Sequence, residues 1–221
     1  MNAGAFYDMD GTLVSTNLVH SFLFVARNEP WLPDGLLKTA SALAKLPAFA
    51  WVDRKSRMRF NEMLFAGFEG AYRDNLLEIA RDHFEKVLHP NIYPGARDLV
   101  DRGRARGLRQ VLVTGNLDFL VAPLVQELGL HDAICNRLEF RDGIATGRVV
   151  RPVIAGAGKA RAIQEYARDH DIDLLESHAF SDSYSDLPML SVVGRPAVIN
   201  PDRRLKRTAG ELQWPILEYR A

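Results

Sequence analysis

Four short apolar runs, at residues 5–7, 110–113, 178–180 and 197–199, are separated by stretches whose apolar residues recur three or four positions apart. Runs of that length without polar alternation fit strands buried on both faces, and the helical periodicity between them supplies the layers that bury them. The chain is therefore expected to be α/β, with a Rossmann-like, mainly parallel sheet covered by helices on both sides. Residues 117–128 show the helical pattern clearly, and Gly129 supplies the stop. In such sheets ligands gather beyond the carboxyl ends of the strands. The first three apolar runs each end in a polar cluster: Asp8-Met9-Asp10-Gly11-Thr12, Thr114-Gly115-Asn116, and Ser181-Asp182-Ser183-Tyr184-Ser185-Asp186. The topology predicts that all three share one crevice.

Two stretches break the alternation. Residues 15–90 read as consecutive helices, at 17–28, 36–50, 55–67 and 71–88, with no strand pattern between them. The simplest account is a helical cap inserted after the first strand, with Pro90 and Pro94 marking the return. This divides the chain into an α/β core, residues 1–14 with 91–221, and a cap, residues 15–90. Residues 133–150 alternate on both sides of Asp142-Gly143, a strong hairpin signal, and are expected to form a small antiparallel projection.

Composition narrows the function. The 221 residues carry 28 Lys and Arg against 28 Asp and Glu, so the basic excess that a nucleic-acid partner would demand is missing. Cys135 is the only cysteine, which excludes an intramolecular disulfide and a CxxC metal site; it reads as a buried, inert thiol. No HExxH pairing links the histidines. No window reaches the roughly 18 apolar residues of a membrane span; residues 36–52 come nearest and are interrupted by Lys38, Lys45 and Pro47. Residues 1–12 lack a secretory pattern, so a cytoplasmic location is expected.

The polar clusters point to phosphate chemistry. Asp8 and Asp10 stand two apart at a strand end, so in extended backbone both carboxylates point the same way and need a cation, a proton or donors to offset their repulsion. Gly11 and Thr12 then offer a tight turn whose backbone N–H groups suit an anion. Asp182 and Asp186 add a second acidic cluster, and such oxygen-rich sets select Mg²⁺. Thr114, with the N–H groups of Gly115 and Asn116 behind it, can donate to phosphate oxygens, although the tripeptide alone reads better as a plain helix N-cap. Lys159 precedes the helical stretch 160–170 and follows Gly156-Ala157-Gly158. A cation at that end of a helix opposes the dipole, which suggests that it faces an anion. A P-loop reading fails, because Val153 and Ala160 stand where Gly and Ser or Thr are required.

Together these four clusters resemble the motifs of the haloacid dehalogenase superfamily, and SDSYSDLPML with the helical insert is most similar to its phosphoserine-phosphatase-like branch, subfamily IB. The resemblance implies a Mg²⁺-dependent phosphatase that hydrolyses a small-molecule phosphate monoester through an aspartyl-phosphate. It implies that Asp8 is the nucleophile, Asp10 the general acid and base, and Lys159 and Thr114 the groups that hold the phosphoryl oxygens, with Gly115 and Asn116 beside them. It further implies a metal held by Asp8, the Asp10 carbonyl and Asp182, with Asp186 acting behind them through water or Lys159. Phosphoserine phosphatases carry an acidic residue soon after the first motif, whereas Val14-Ser15-Thr16-Asn17 has none, so phosphoserine is not the leading substrate. Arg54, Lys55, Arg57 and Arg59 are candidates for an anionic group. A phosphotransferase or mutase on the same intermediate is the alternative. So is a lipid-phosphate phosphatase whose residues 36–51 contact a membrane surface. The aromatics Phe22, Phe24, Trp31, Phe49, Trp51, Phe60, Phe65 and Phe68 are expected to build the core of the cap.

Overall fold

The computed structural model describes residues 2–28 and 56–219. Among these the chain runs from β1 (Gly4–Tyr7) through α1 (Leu18–Asn28), α2 (Arg57–Phe65) and α3 (Arg73–His83) to α4 (Pro94–Ala105). It continues with β2 (Arg109–Leu117), α5 (Asp118–Leu128), β3 (Asp132–Asn136), β4 (Leu138–Arg141), β5 (Ile144–Val149) and α6 (Ala157–Asp169). It ends with β6 (His178–Ser181), the short α7 (Leu187–Leu190), β7 (Arg195–Ile199), α8 (Arg203–Glu211) and β8 (Ile216–Leu217).

Six strands form one sheet in the order β3-β2-β1-β6-β7-β8, and every neighbouring pair is parallel. Strand alternation sorts their side chains into two layers. Ala5, Tyr7, Leu112, Phe180, Ala197 and Ile199 join one core with Ala96 and Val100 of α4 and Val121 and Leu124 of α5. Phe6, Val111, Val113, Ala179 and Val198 join the other with Ile163 of α6, Met189 of α7 and Leu205 of α8. The fold is thus the expected α/β sheet, because each short run is apolar on both faces.

A third cluster unites Phe22 and Val25 of α1, Phe60, Leu64 and Phe65 of α2, Phe68, and Leu76 and Ile79 of α3. It extends to Leu117 and Leu120 at the start of α5 and to Leu138 and Ala145 of the hairpin, so the helices between β1 and α4 rest on the core at that corner. Phe22, Phe60, Phe65 and Phe68 are buried as expected, and Phe24 packs at the edge of the same cluster. The expected helix at 36–50, the membrane-contact reading of 36–51, and Trp31, Phe49, Trp51, Arg54 and Lys55 lie outside the described residues. No helix among the described residues is long and apolar enough to cross a membrane.

Two segments of the sheet depart from the pattern expected of them. The antiparallel projection is confined to β4 and β5 around Asp142-Gly143, whereas residues 132–136 form β3 at the edge of the main sheet. An edge strand packed on one face alternates just as a hairpin does, so periodicity does not separate the two. Secondly, Thr114-Gly115-Asn116 does not cap a helix. β2 pairs Val113 with Ile134 and then Leu117 with Asn136, so three residues of β2 stand opposite one of β3. This bulge re-aims the segment toward the carboxyl edge of the sheet.

Candidate active site

β1, β2 and β6 deliver Asp8, Thr114 and Asp182 to the same edge of the sheet, where α6 adds Lys159 from its first turn. These side chains line a cavity of about 190 Å³ together with Asp10, Gly11, Gly115 and Asp186. Thr16 and Asn17, and Arg57 and Asn61 of α2, form more of its wall. The crevice inferred from the polar clusters therefore exists, and the helices after β1 help to enclose it.

Its centre is a buried ion-pair triad. Lys159 Nζ donates to Asp8 Oδ1 at 2.6 Å and to Asp186 Oδ2 at 2.7 Å, and Asp186 also accepts from Ser181 Oγ at 2.9 Å. The side chains of Lys159, Asp8 and Asp186 are 7%, 8% and 4% exposed. Burial disfavours the ammonium, but Asp186 and Asp8 outweigh that penalty and hold Lys159 charged well beyond its ordinary range. The anion expected opposite Lys159 is thus a pair of carboxylates, with room in the cavity for another.

The loop after β1 is closed by its own backbone. The carbonyl of Met9 accepts from the N–H groups of Thr12, Leu13 and Val14 at 3.2, 2.9 and 3.1 Å, and Gly11 N–H donates to the Val14 carbonyl at 2.7 Å. The expectation that Gly11 and Thr12 present free N–H groups to an anion is therefore corrected: a turn this tight uses those donors itself. Gly11 adopts φ +79°, and a Cβ there would fall 2.2 Å from Asp182 Oδ2, so only glycine lets the Asp182 carboxylate approach this loop. Asp10 accepts from Thr16 Oγ1 at 3.0 Å. Burial, then the Asp8 charge, push its carboxyl up to about 7 against the pull of that hydrogen bond.

At the β2 bulge, Asn116 N–H donates to Thr114 Oγ1 at 3.2 Å, which leaves the Thr114 hydroxyl proton to serve a ligand. Thr114 and Gly115 border the cavity, but Asn116 does not, which corrects its expected place at the phosphate. Its Nδ2 donates to Ser21 Oγ on α1 at 3.3 Å and its Oδ1 accepts from Leu117 N–H at 2.9 Å, so it braces the bulge instead. Of the basic residues considered for an anionic group, Arg57 lines the cavity and Arg59 points to solvent. Cys135 is half-buried and its thiol is pushed up to about 12 by burial, which suits an inert role.

Among the described residues no three His, Cys, Asp or Glu side chains converge into a ready-made metal cage. Mg²⁺ does not need one, since one or two carboxylates with carbonyl, water and phosphate oxygens complete its octahedron. Asp182 makes no ion pair among the described residues, and burial followed by the charges of Asp8 and Asp186 raises its carboxyl well above the usual range. With Lys159 committed to Asp8 and Asp186, a hard cation beside Asp182 and Asp8 fits the charge that the site leaves uncompensated.

Sequence reasoning missed Thr16 and Asn61, both buried and both in the wall, and Ser181, which holds Asp186 from behind. Nothing in a lone Thr or Asn marks it in advance. Ser181 opens the third polar cluster, and its hydroxyl directly before Asp182 was the available signal.

The sequence matches the family model for haloacid dehalogenase-like hydrolases over residues 5–191. It is 32% identical over 221 residues to phosphoserine phosphatase SerB1 of Mycobacterium tuberculosis, covering 100% of this chain and 72% of that protein. It is 25% identical over 227 residues to a histidinol-phosphatase of Neisseria meningitidis, covering 98% of each. A solved phosphoserine phosphatase carrying a phospho-aspartyl intermediate analogue shares the fold, with a TM-score of 0.71 at 20% identity over 98% of this chain and 93% of that one. With its four motifs gathered at one sheet edge and a family match spanning most of its length, the chain belongs to the haloacid dehalogenase-like hydrolases.

Proposed function

We propose that the protein is a Mg²⁺-dependent phosphatase that hydrolyses a small-molecule phosphate monoester through an aspartyl-phosphate on Asp8. The observation that carries this reading is the buried bridge from Lys159 to Asp8 and Asp186 on the wall of a cavity that also presents Asp10, Thr114 and Asp182. Relatives named as phosphoserine and histidinol phosphatases support the same reaction class and differ in the alcohol released.

In the first step a carboxylate oxygen of Asp8 bonds to phosphorus as the ester P–O bond breaks, and Asp10 passes a proton to the departing alkoxide. In the second, water attacks phosphorus, Asp10 takes its proton, and the P–O bond to Asp8 breaks to release phosphate. Lys159 and the Thr114 hydroxyl orient the phosphoryl oxygens and offset their charge. Thr16 holds Asp10 toward the cavity. Asp8, Asp182 and the Asp10 carbonyl would hold Mg²⁺, which when bound offsets phosphoryl charge and the mutual repulsion of the carboxylates. The helical segments between β1 and α4 act as the cap that excludes bulk water. The cavity of about 190 Å³ suits a compact leaving group, and the absence of a carboxylate at Thr16 and Asn17 argues against phosphoserine itself.

The test is phosphate release from an aryl phosphate with Mg²⁺, with EDTA, and with Asp8→Asn. Metal-dependent release that the variant loses, at an unchanged melting temperature, is expected. Turnover by Asp8→Asn at the wild-type rate would place the nucleophile elsewhere.

A further inference from the structure

The carbonyl oxygen of Gly115 accepts two side-chain amides from different parts of the chain. Asn136, at the end of β3, donates through Nδ2 at 2.7 Å, and Asn61, on α2, donates through Nδ2 at 3.1 Å. Both asparagines are almost completely buried, at 1% and 2% exposure. A carbonyl oxygen has two lone pairs, and these two donors fill them. Asn136 also donates to the Ile154 carbonyl at 3.1 Å and accepts from the Ile154 N–H at 2.8 Å. One buried amide thus ties the bulge that carries Thr114 to the segment that leads into Lys159.

The bulge explains why these donors are needed. With three residues of β2 opposite one of β3, the Gly115 carbonyl is out of ladder register, and a buried carbonyl without a donor is costly. The sheet supplies one donor and α2 the other. A Cβ at position 115 would meet Asn61 Nδ2 at 2.8 Å, so the glycine is also what allows α2 to sit this close.

The geometry points to Asn61 and Asn136 as positioning residues that meet at the Gly115 carbonyl and couple the seating of α2 to the placement of Thr114 and Lys159. This inference rests on the phosphatase reading of the site. Asn136 does not border the cavity and acts only through the loops it joins. Asn61 does border it, so the rival role is direct contact with the leaving group. The two roles differ in which substrates feel the loss. A residue acting through Gly115 alters every phosphoryl transfer alike, whereas a leaving-group contact is felt by only some esters.

The experiment measures kcat and KM of the full chain with Mg²⁺ for an aryl phosphate, phosphoserine and glycerol phosphate, and inhibition by orthovanadate. Wild type, Asn61→Ala, Asn136→Ala and the double variant are compared, with melting temperature as the check on folding. Loss of one hydrogen bond of about 1 kcal/mol corresponds to roughly fivefold. Asn61→Ala is expected to lower kcat by about that factor for every ester turned over and to weaken vanadate inhibition similarly. The double variant should be less impaired than the product of the single factors, because both act through one carbonyl. A loss confined to one ester, factors that multiply, or wild-type kinetics in both variants would overturn the inference. Where Asn136→Ala does not fold, Asn136→Asp keeps the acceptor for Ile154, and the uniformity of the Asn61→Ala loss decides the matter by itself. A wild-type chain that releases no phosphate from any ester and binds no vanadate refutes the phosphatase reading and the inference with it. An active wild type whose kcat and vanadate inhibition are unchanged in both variants refutes the inference alone.

Discussion

His83 closes α3 with its side chain fully buried, and among the described residues neither ring nitrogen has a hydrogen-bond partner. Its ring packs against Phe24 with centroids 5.4 Å apart. Burial disfavours the imidazolium and pushes its pKa down from the usual 6.5 to about 4. As pH falls, the unfolded chain therefore takes up this proton first. The stability that depends on neutral His83 is fully present above about 6.5 and is lost as pH drops toward 4. A fall of about 2.5 units is worth ~3 kcal/mol in full, of which about 2 kcal/mol disappears between pH 7.5 and 5. The carboxyls of Asp8, Asp10 and Asp182 are shifted upward and run the other way, their cost shrinking as they protonate. Only a difference between proteins isolates the histidine. His83→Leu keeps approximate volume and removes two unpartnered polar atoms, so it should stabilise by about 1–2 kcal/mol at pH 7.5. At pH 5 its advantage should widen by about 2 kcal/mol. Urea unfolding followed by far-UV circular dichroism at both pH values measures each gap. A gap that does not change with pH would refute the argument, as would a variant less stable than wild type at pH 5.

Asp182→Asn should weaken Mg²⁺ activation most, with a defect that shrinks as metal is raised in a titration of initial rates; a defect indifferent to metal would remove Asp182 from the ligand set. Gly11→Ala forces a side chain into φ +79° and against Asp182 Oδ2. It should cost about 1–2 kcal/mol in urea unfolding from backbone conformation alone and reduce turnover further. Unfolding and kinetics both equal to wild type would show that the close approach does not exist.

What the sequence exposed and what it hid divide along a physical line. Asp8, Asp182 and Thr114 follow buried apolar runs, and a parallel sheet sends the ends of such runs to one edge, so their meeting was legible from pattern alone. Lys159 was legible because a lysine in the first turn of a helix opposes the dipole. The donors that satisfy the bulge were not legible. Asn61 and Asn136 act on a backbone carbonyl, and which carbonyl loses its ladder partner depends on strand register rather than on residue type. The assignment of Gly11 and Thr12 N–H groups to an anion failed for a related reason. Their partners, Met9 and Val14, are backbone atoms of the same turn. Residues 132–136 deceived because an edge strand and a hairpin arm share one periodicity.

β1 is four residues long and every one of them is buried. Phe6 belongs to one layer, Ala5 and Tyr7 to the other, and Asp8 follows at once. Exchange of one apolar residue for another there changes packing locally. Insertion or deletion of a single residue between Gly4 and Tyr7 does something different in kind: it sends each side chain upstream of the change to the opposite layer or else turns Asp8 away from Lys159. Variation in length among descendants of this chain should therefore collect at turns such as Asp142-Gly143 and be absent from β1, however freely its apolar residues interchange.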